Sequence, residues 1–163
     1  MKILIIDATE HNKLQSFIYN DSKKEKDFFA RSFFYKGSDL FSNFNKVFKS
    51  IGNFDYIGIN KGPGSFTKTK VSLAYVKGFC YGSKIPLIAI SGFDVLEKKG
   101  LRLEINAGRG KKYVKKSGVY SVSEGEVKDG LDYNVFVHLI IDRILKKDFD
   151  DPLKVLPLYI SEI

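Results

Sequence analysis

Cysteine is almost missing from this 163-residue chain. Cys80 stands alone, which excludes an internal disulfide and a cysteine-cluster zinc site. Histidine is nearly as scarce: His11 and His138 leave little for a histidine-based metal site. No apolar run approaches the roughly 18 residues that cross a bilayer, so no membrane partner is expected. The opening Met1–Asp7 offers one lysine and a short apolar stretch, too little for a signal-peptide core. The expected compartment is the cytoplasm. A Walker loop and a Gly-x-Ser-x-Gly elbow are also missing, and no two carboxylates are spaced for acid–base work. Arginine is sparse among the basic residues, at Arg31, Arg102, Arg109 and Arg143.

Aromatic residues, by contrast, are plentiful. Fourteen Phe and nine Tyr supply ample material for a core and exclude wholesale disorder. The length suits one domain, or one domain with a small appendage. Lys and Arg number 27 against 19 Asp and Glu, a net charge of +8. Such an excess suits an anionic partner such as RNA or a phosphorylated ligand. Lysine spreads that charge diffusely, without the forked phosphate contacts of arginine. A lysine-rich proteome accounts for the same number.

The patterning changes along the chain. Lys2–Thr9 is a continuous apolar run ending in Asp-Ala-Thr, as in a buried strand. A turn signal at His11-Asn12 precedes Lys13–Asn20, which reads as a second strand. Asp27–Tyr35 is aromatic-rich and reads as a third. Leu40, Phe41, Phe44, Val47, Phe48 and Ile51 then recur at three- and four-residue steps, predicting a helix. Ser38 or Asp39 is its expected cap and Gly52 its expected stop. Phe54–Asn60 reads as a short strand. Lys61–Thr67 is a glycine loop. Ser65–Tyr81 reads as a helix with Gly82 as stop, and Ile85–Ile90 as an apolar strand. The order β-β-β-α-β-α-β predicts an α/β fold with a mixed five-stranded sheet, as in a ribonuclease-H-like lobe, over residues 1–92. Residues 93–163 carry fewer apolar residues. A short helix at Ser91–Lys99, a small meander over 101–122 and a helix at Leu131–Lys147 predict a reduced second lobe.

The strongest local feature is the loop Gly62-Pro63-Gly64-Ser65-Phe66-Thr67 between a strand and a helix. Its glycines allow positive φ and close approach of another group. The helix start behind it could hold an anion, with Ser65 or Thr67 as cap. The same residues also make an ordinary tight turn. Asp7, with Thr9 two residues on, is placed for a phosphate or a metal, or simply caps a strand end. His138 lies in an apolar helical stretch and reads as structural, and Cys80 reads as packed. Both helices of the first lobe are apolar on more than one side, which predicts a second covering surface. The residues expected to meet a partner are Leu40, Phe41, Phe44, Val47 and Phe48 on the first helix. On the second they are Val71, Leu73, Ala74, Tyr75 and Gly78. If Phe44 faces a partner, Phe44→Glu abolishes binding and spares the fold. If it faces the sheet, the variant unfolds.

Several of these segments together resemble the TsaB (YeaZ) family. They are Asp55–Thr67 with its Gly-Pro-Gly-Ser-Phe-Thr loop, Val71–Ala74, Lys77-Gly78, and Ile85–Ser91 with its Pro-x-x-x-x-Ser spacing. The opening Ile5–Thr9, the turn Asn106–Gly110 and the terminal Pro157–Ile160 are similar in the same order. The resemblance implies an actin-like ATPase fold of two ribonuclease-H-like lobes. It implies a non-catalytic subunit that supports a TsaD-type transferase in forming N6-threonylcarbamoyladenosine in tRNA. That paralogue would pair through the two helices, and a TsaE-type ATPase would join. The chain alone would bind no cofactor or metal, with any nucleotide at the joint surface. The +8 charge would help tRNA dock, and the free chain could pair with itself. The alternative is a small ATP-binding phosphotransferase using Asp7, Thr9 and the loop. The chain departs from the family at Lys68, Asn106 and Gly108, and its second lobe is short.

Overall fold

A computed structural model describes residues 1–10, 13–22, 25–34, 39–51, 53–127 and 130–160. Five strands form the larger sheet: β1 (Lys2–Asp7), β2 (Lys13–Ser22), β3 (Glu25–Phe34), β4 (Tyr56–Asn60) and β5 (Leu87–Ile90). Their order is β3-β2-β1-β4-β5. β2 runs antiparallel to β1 and β3, whereas β1, β4 and β5 are parallel. The parallel crossovers are the helices α1 (Asp39–Ile51) and α2 (Phe66–Ser83). The expected meander and crossover units are all present. The expected turn at His11-Asn12, the cap at Ser38 and the stop at Gly52 lie outside the described residues.

β1 is continuously apolar because both of its faces are covered. Leu4 and Ile6 face one core with Leu40, Phe44 and Val47 of α1 and Leu73 and Val76 of α2. Ile3 and Ile5 face a second core with Phe136, Val137 and Ile140 of α4 (Tyr133–Leu145). Each fully buried side chain of this kind contributes about 1.5–3 kcal/mol of transfer free energy. The helix at the far end of the sequence thus packs on the first sheet. His138 falls on its outer side and is exposed, so it takes no part in that core.

Two boundaries differ from expectation. α2 runs through Gly82 and ends at Lys84, whose φ of 60° and ψ of 22° are left-handed. The Lys84 ammonium then lies 4.7 Å from the centroid of the Tyr81 ring. β5 begins only after Pro86, which has no amide to give to the ladder. Cys80 is packed in the first core, as its residue type suggested, and burial pushes its thiol up to about 12.

The remaining elements are α3 (Gly92–Lys98) and a small sheet of β6 (Glu104–Gly108), β7 (Lys111–Lys116) and β8 (Val119–Glu124), in that order. Ser91 caps α3 in a reciprocal box with Asp94. β7 and β8 are joined through Ser117 and Gly118, both at positive φ, as a two-residue hairpin turn requires. Asp132 caps α4, accepting from the amides of Asn134 and Val135, and pairs with Lys99 at 2.8 Å. The Lys99 hydrogen bond and those amides hold its carboxyl below its usual value of 3.8. A lowered folded value stabilises the fold above that pH, and the contribution fades as pH falls through the folded value. Asp132→Ala should therefore cost about 1 kcal/mol at pH 7. The gap from wild type, read by urea titration, should close below pH 3.8.

Candidate functional site

The carboxylate of Asp7 is the centre of a buried polar cluster. β1 ends there, and its parallel neighbour β4 ends at Asn60. Asp7 is 3% exposed and Asn60 1%. One oxygen of Asp7 accepts from the Thr9 amide at 2.8 Å and the Thr9 hydroxyl at 2.7 Å. The other accepts from Asn60 Nδ2 at 2.9 Å and from the Tyr133 hydroxyl at 2.8 Å. Four donors thus occupy the roughly four acceptor positions of an ionised carboxylate. Burial, and after it the negative charge of Asp7, push the Tyr133 hydroxyl far above its ordinary value. It stays a neutral donor at any ordinary pH. Tyr133 also packs on Phe17, with ring centroids 4.1 Å apart.

This arrangement leaves no lone pair of Asp7 open to a metal ion. Thr9, the other suggested contact, is spent on Asp7. Among the described residues, no group of three or more His, Cys, Asp or Glu is placed to hold a metal. Two members of the cluster carried no signal in the sequence. Asn60 ends a strand parallel to β1, so only the sheet order brings it beside Asp7. Tyr133 is 126 residues away and opens a helix whose packing side is visible only in three dimensions.

The glycine loop is built into the same cluster. The Gly62 amide donates to Asn60 Oδ1 at 3.0 Å, and Gly62 has φ +107°. A side chain there would also meet the Leu158 carbonyl. Gly64 lies against the Thr9 backbone, where a Cβ would come within 2.6 Å of the Thr9 carbonyl oxygen. The Ser65 amide donates to that carbonyl at 2.8 Å. Close approach, the first use expected of these glycines, is thus directed at the chain itself. Pro63 is buried beside Gly62. Ser65 occupies the N-cap position of α2 but makes no side-chain cap bond, and Thr67 lies within the helix, so neither caps it as expected. The carboxy-terminal segment closes over the loop. Its Leu158 amide donates to Lys61 O at 2.7 Å, and its Tyr159 ring packs 4.5 Å from Phe66. Lys68, one of the departures, is half-buried on the first turn of α2, and desolvation lowers its amine. The other two preserve their turn. Asn106 Oδ1 accepts from the Gly108 amide at 2.7 Å, and Gly108 has φ +78°.

The helix surface is narrower than the sequence suggested. Leu40, Phe44, Val47 and Leu73 belong to the core of the chain itself and cannot meet a partner. α1 and α2 interlock through aromatic rings: Phe44 stacks on Tyr75 at 4.7 Å, and Phe48 lies 4.2 Å from Phe79. Phe48, Val71 and Tyr75 are partly buried at the rim of that contact, while Ala74 and Gly78 are exposed. Phe41 is 56% exposed and Tyr81 54%. Burial sorts the ten expected positions along the helical register, which sequence spacing alone left undivided.

The strand order and the self-occupied strand end define the chain as a mixed α/β domain. No family model matches the sequence, and no curated protein matches it. Solved structures do match the fold. One is described as an uncharacterized protein with similarity to peptidase YeaZ from Pseudomonas aeruginosa. It has a TM-score of 0.69 and 12% identity, over 98% of this chain and 99% of that one. Another is YeaZ from Pseudomonas aeruginosa, with a TM-score of 0.61 and 13% identity, over 98% of this chain and all of that one. The chain therefore has the fold of YeaZ over nearly its whole length. Among the described residues, no helix is long and apolar enough to cross a membrane.

Proposed function

We propose that the chain is a TsaB (YeaZ)-type subunit, a non-catalytic support for a TsaD-type transferase that forms N6-threonylcarbamoyladenosine in tRNA. The observation that carries this reading is the saturated Asp7 carboxylate. A strand-end Asp that served chemistry would keep a lone pair or a facing donor for its substrate. Here the chain's own Thr9, Asn60 and Tyr133 take every position. On this reading the fold is ribonuclease-H-like and of the actin-like ATPase type. Residues 1–92 form its first lobe, completed by α4, whose Phe136, Val137 and Ile140 pack on the first sheet, and the rest of 93–163 is a reduced second one. The sheet order β3-β2-β1-β4-β5 and the full-length match to YeaZ support that assignment. The partner docks on the outward side of α1 and α2, where Phe41, Tyr81, Ala74 and Gly78 are exposed. A TsaE-type ATPase joins the pair in the cell, any nucleotide binds at the joint surface, and the excess positive charge attracts tRNA.

Two exposed aromatics make the test clean, since changes at exposed positions seldom cost more than about 0.5 kcal/mol of folding. The tagged chain, recovered from its own cells, should retain a stoichiometric TsaD-type paralogue through salt washes. Phe41→Glu combined with Tyr81→Glu should lose it while keeping the wild-type circular dichroism. Recovery of the wild-type chain alone would overturn the reading. ATP turnover by the purified chain would then favour a small phosphotransferase.

A further inference from the structure

A cavity of about 280 Å³ opens beside the turn between β6 and β7. Ala107, Arg109 and Lys111 line it around the turn, Tyr113 and Val122 from β7 and β8, and Ile160 from the carboxy-terminal segment. Ligand sites commonly run from about 300 Å³ upwards, so this space suits a small molecule. Among the described residues no carboxylate lines it, and its two charged residues are both cations.

The two cations differ. Lys111 faces Glu124 across the ladder, so part of its charge is already answered. Arg109 has no ion pair among the described residues, whereas Arg143 is held by Asp148 and Asp150. Arg109 also stands where an arginine is not expected. Its φ is +55°, between Gly108 at +78° and Gly110 at +72°. Glycine or asparagine would make such a turn with less strain, so turn geometry does not account for this side chain. Tyr113 adds a hydroxyl to the same wall. It donates to Gly64 O at 3.4 Å, which is long for such a bond. Burial raises the hydroxyl above its ordinary value, so it keeps its proton. That proton is available to a closer acceptor.

We propose that this cavity binds a small phosphate monoester, with the Arg109 guanidinium as its main contact. A guanidinium fork pairs with two phosphate oxygens at once. A phosphate monoester has three terminal oxygens and a charge of about −1.5 to −2 at neutral pH. The third oxygen remains for the Tyr113 hydroxyl, and the field of Lys111 favours the second charge. Ala107, Val122 and Ile160 leave an apolar wall for a short carbon chain. A carboxylate would fill the fork but use neither the third donor nor the second charge. The site lies apart from the α1 and α2 face and stands whether or not the partner reading holds.

Titration of the full chain with glycerol phosphate, followed by amide shifts in nitrogen–proton correlation spectra, tests it. The wild type should show saturable shifts around the turn, with a Kd of about 1 mM at low salt. Arg109→Gly relieves the turn of its strained residue and should fold at least as well as wild type. It should weaken binding about tenfold or more, the share of one charge-assisted hydrogen bond. Arg109→Lys keeps the charge without the fork and should fall between the two. Tyr113→Phe should weaken binding about threefold. Lys46→Ala, at an exposed lysine of α1, should leave it unchanged. Acetate should bind more weakly than glycerol phosphate, and adenosine monophosphate no more tightly. No saturation by about 10 mM would overturn the proposal, as would an Arg109→Gly chain that binds like wild type. Equal losses in Arg109→Gly and Lys46→Ala would also overturn it, since they would show diffuse attraction without a site. So would equal binding of acetate, or tighter binding of adenosine monophosphate, which would make this a nucleotide site.

Discussion

Phe44→Glu should leave the chain unfolded. Phe44 is fully buried between β1 and α2, stacked on Tyr75 with ring planes 13° apart. Removing a buried phenyl ring from such a core costs about 3–5 kcal/mol. A carboxylate in its place has no cation to meet there, and an unpaired buried charge costs several kcal/mol more. The sum rivals the whole stability of a domain, about 5–15 kcal/mol. Far-ultraviolet circular dichroism and urea titration should show no cooperative transition. Phe41→Glu, three residues earlier on the exposed side of the same helix, should unfold within about 0.5 kcal/mol of wild type. A folded, cooperative Phe44→Glu protein would mean that α1 is turned the other way and that Phe44 is a surface residue.

The second large effect belongs to Asp7. Asp7→Ala leaves Asn60 Nδ2, the Tyr133 hydroxyl and the Thr9 donors without their acceptor. Each buried donor so abandoned costs about 1–3 kcal/mol, and Tyr133, which is half-buried, recovers part of its share from water. We expect a loss of about 3–5 kcal/mol by chemical denaturation. Asp7→Asn keeps one acceptor and loses less, about 2 kcal/mol, because its amide must face at least one of the same donors. Equal stability of Asp7→Ala and wild type would show that the four contacts do not hold the strand end together.

The architecture was largely legible because its signals are local. An unbroken apolar run marks β1, and three- and four-residue steps mark α1. The misreadings share one cause, competition between a local signal and tertiary contacts. Gly82 looks like a helix stop, yet α2 continues through it to Lys84. Periodicity also groups Leu40, Phe44 and Val47 with Phe41 and Phe48. Only the packing of α1 on β1 and α2 divides buried from exposed. The site was half legible. Asp7, Thr9 and the glycine loop stood out, and the loop's tight-turn reading describes how it is used. Asn60 and Tyr133 decide what Asp7 can do, and their proximity arises from sheet order and helix docking that no local pattern encodes.

The account rests on this chain acting by binding, with Asp7 holding the fold. The most direct measurement is the initial rate of threonylcarbamoyl transfer to tRNA in a complex reconstituted with the TsaD-type and TsaE-type proteins. The complex would carry saturating wild type or Asp7→Asn, at a temperature where both are folded. A carboxylate that serves only structure predicts rates within about threefold of each other. A fall of about a hundredfold, roughly 2.7 kcal/mol of lost transition-state stabilisation in a folded and bound subunit, would place Asp7 in the chemistry and contradict the account.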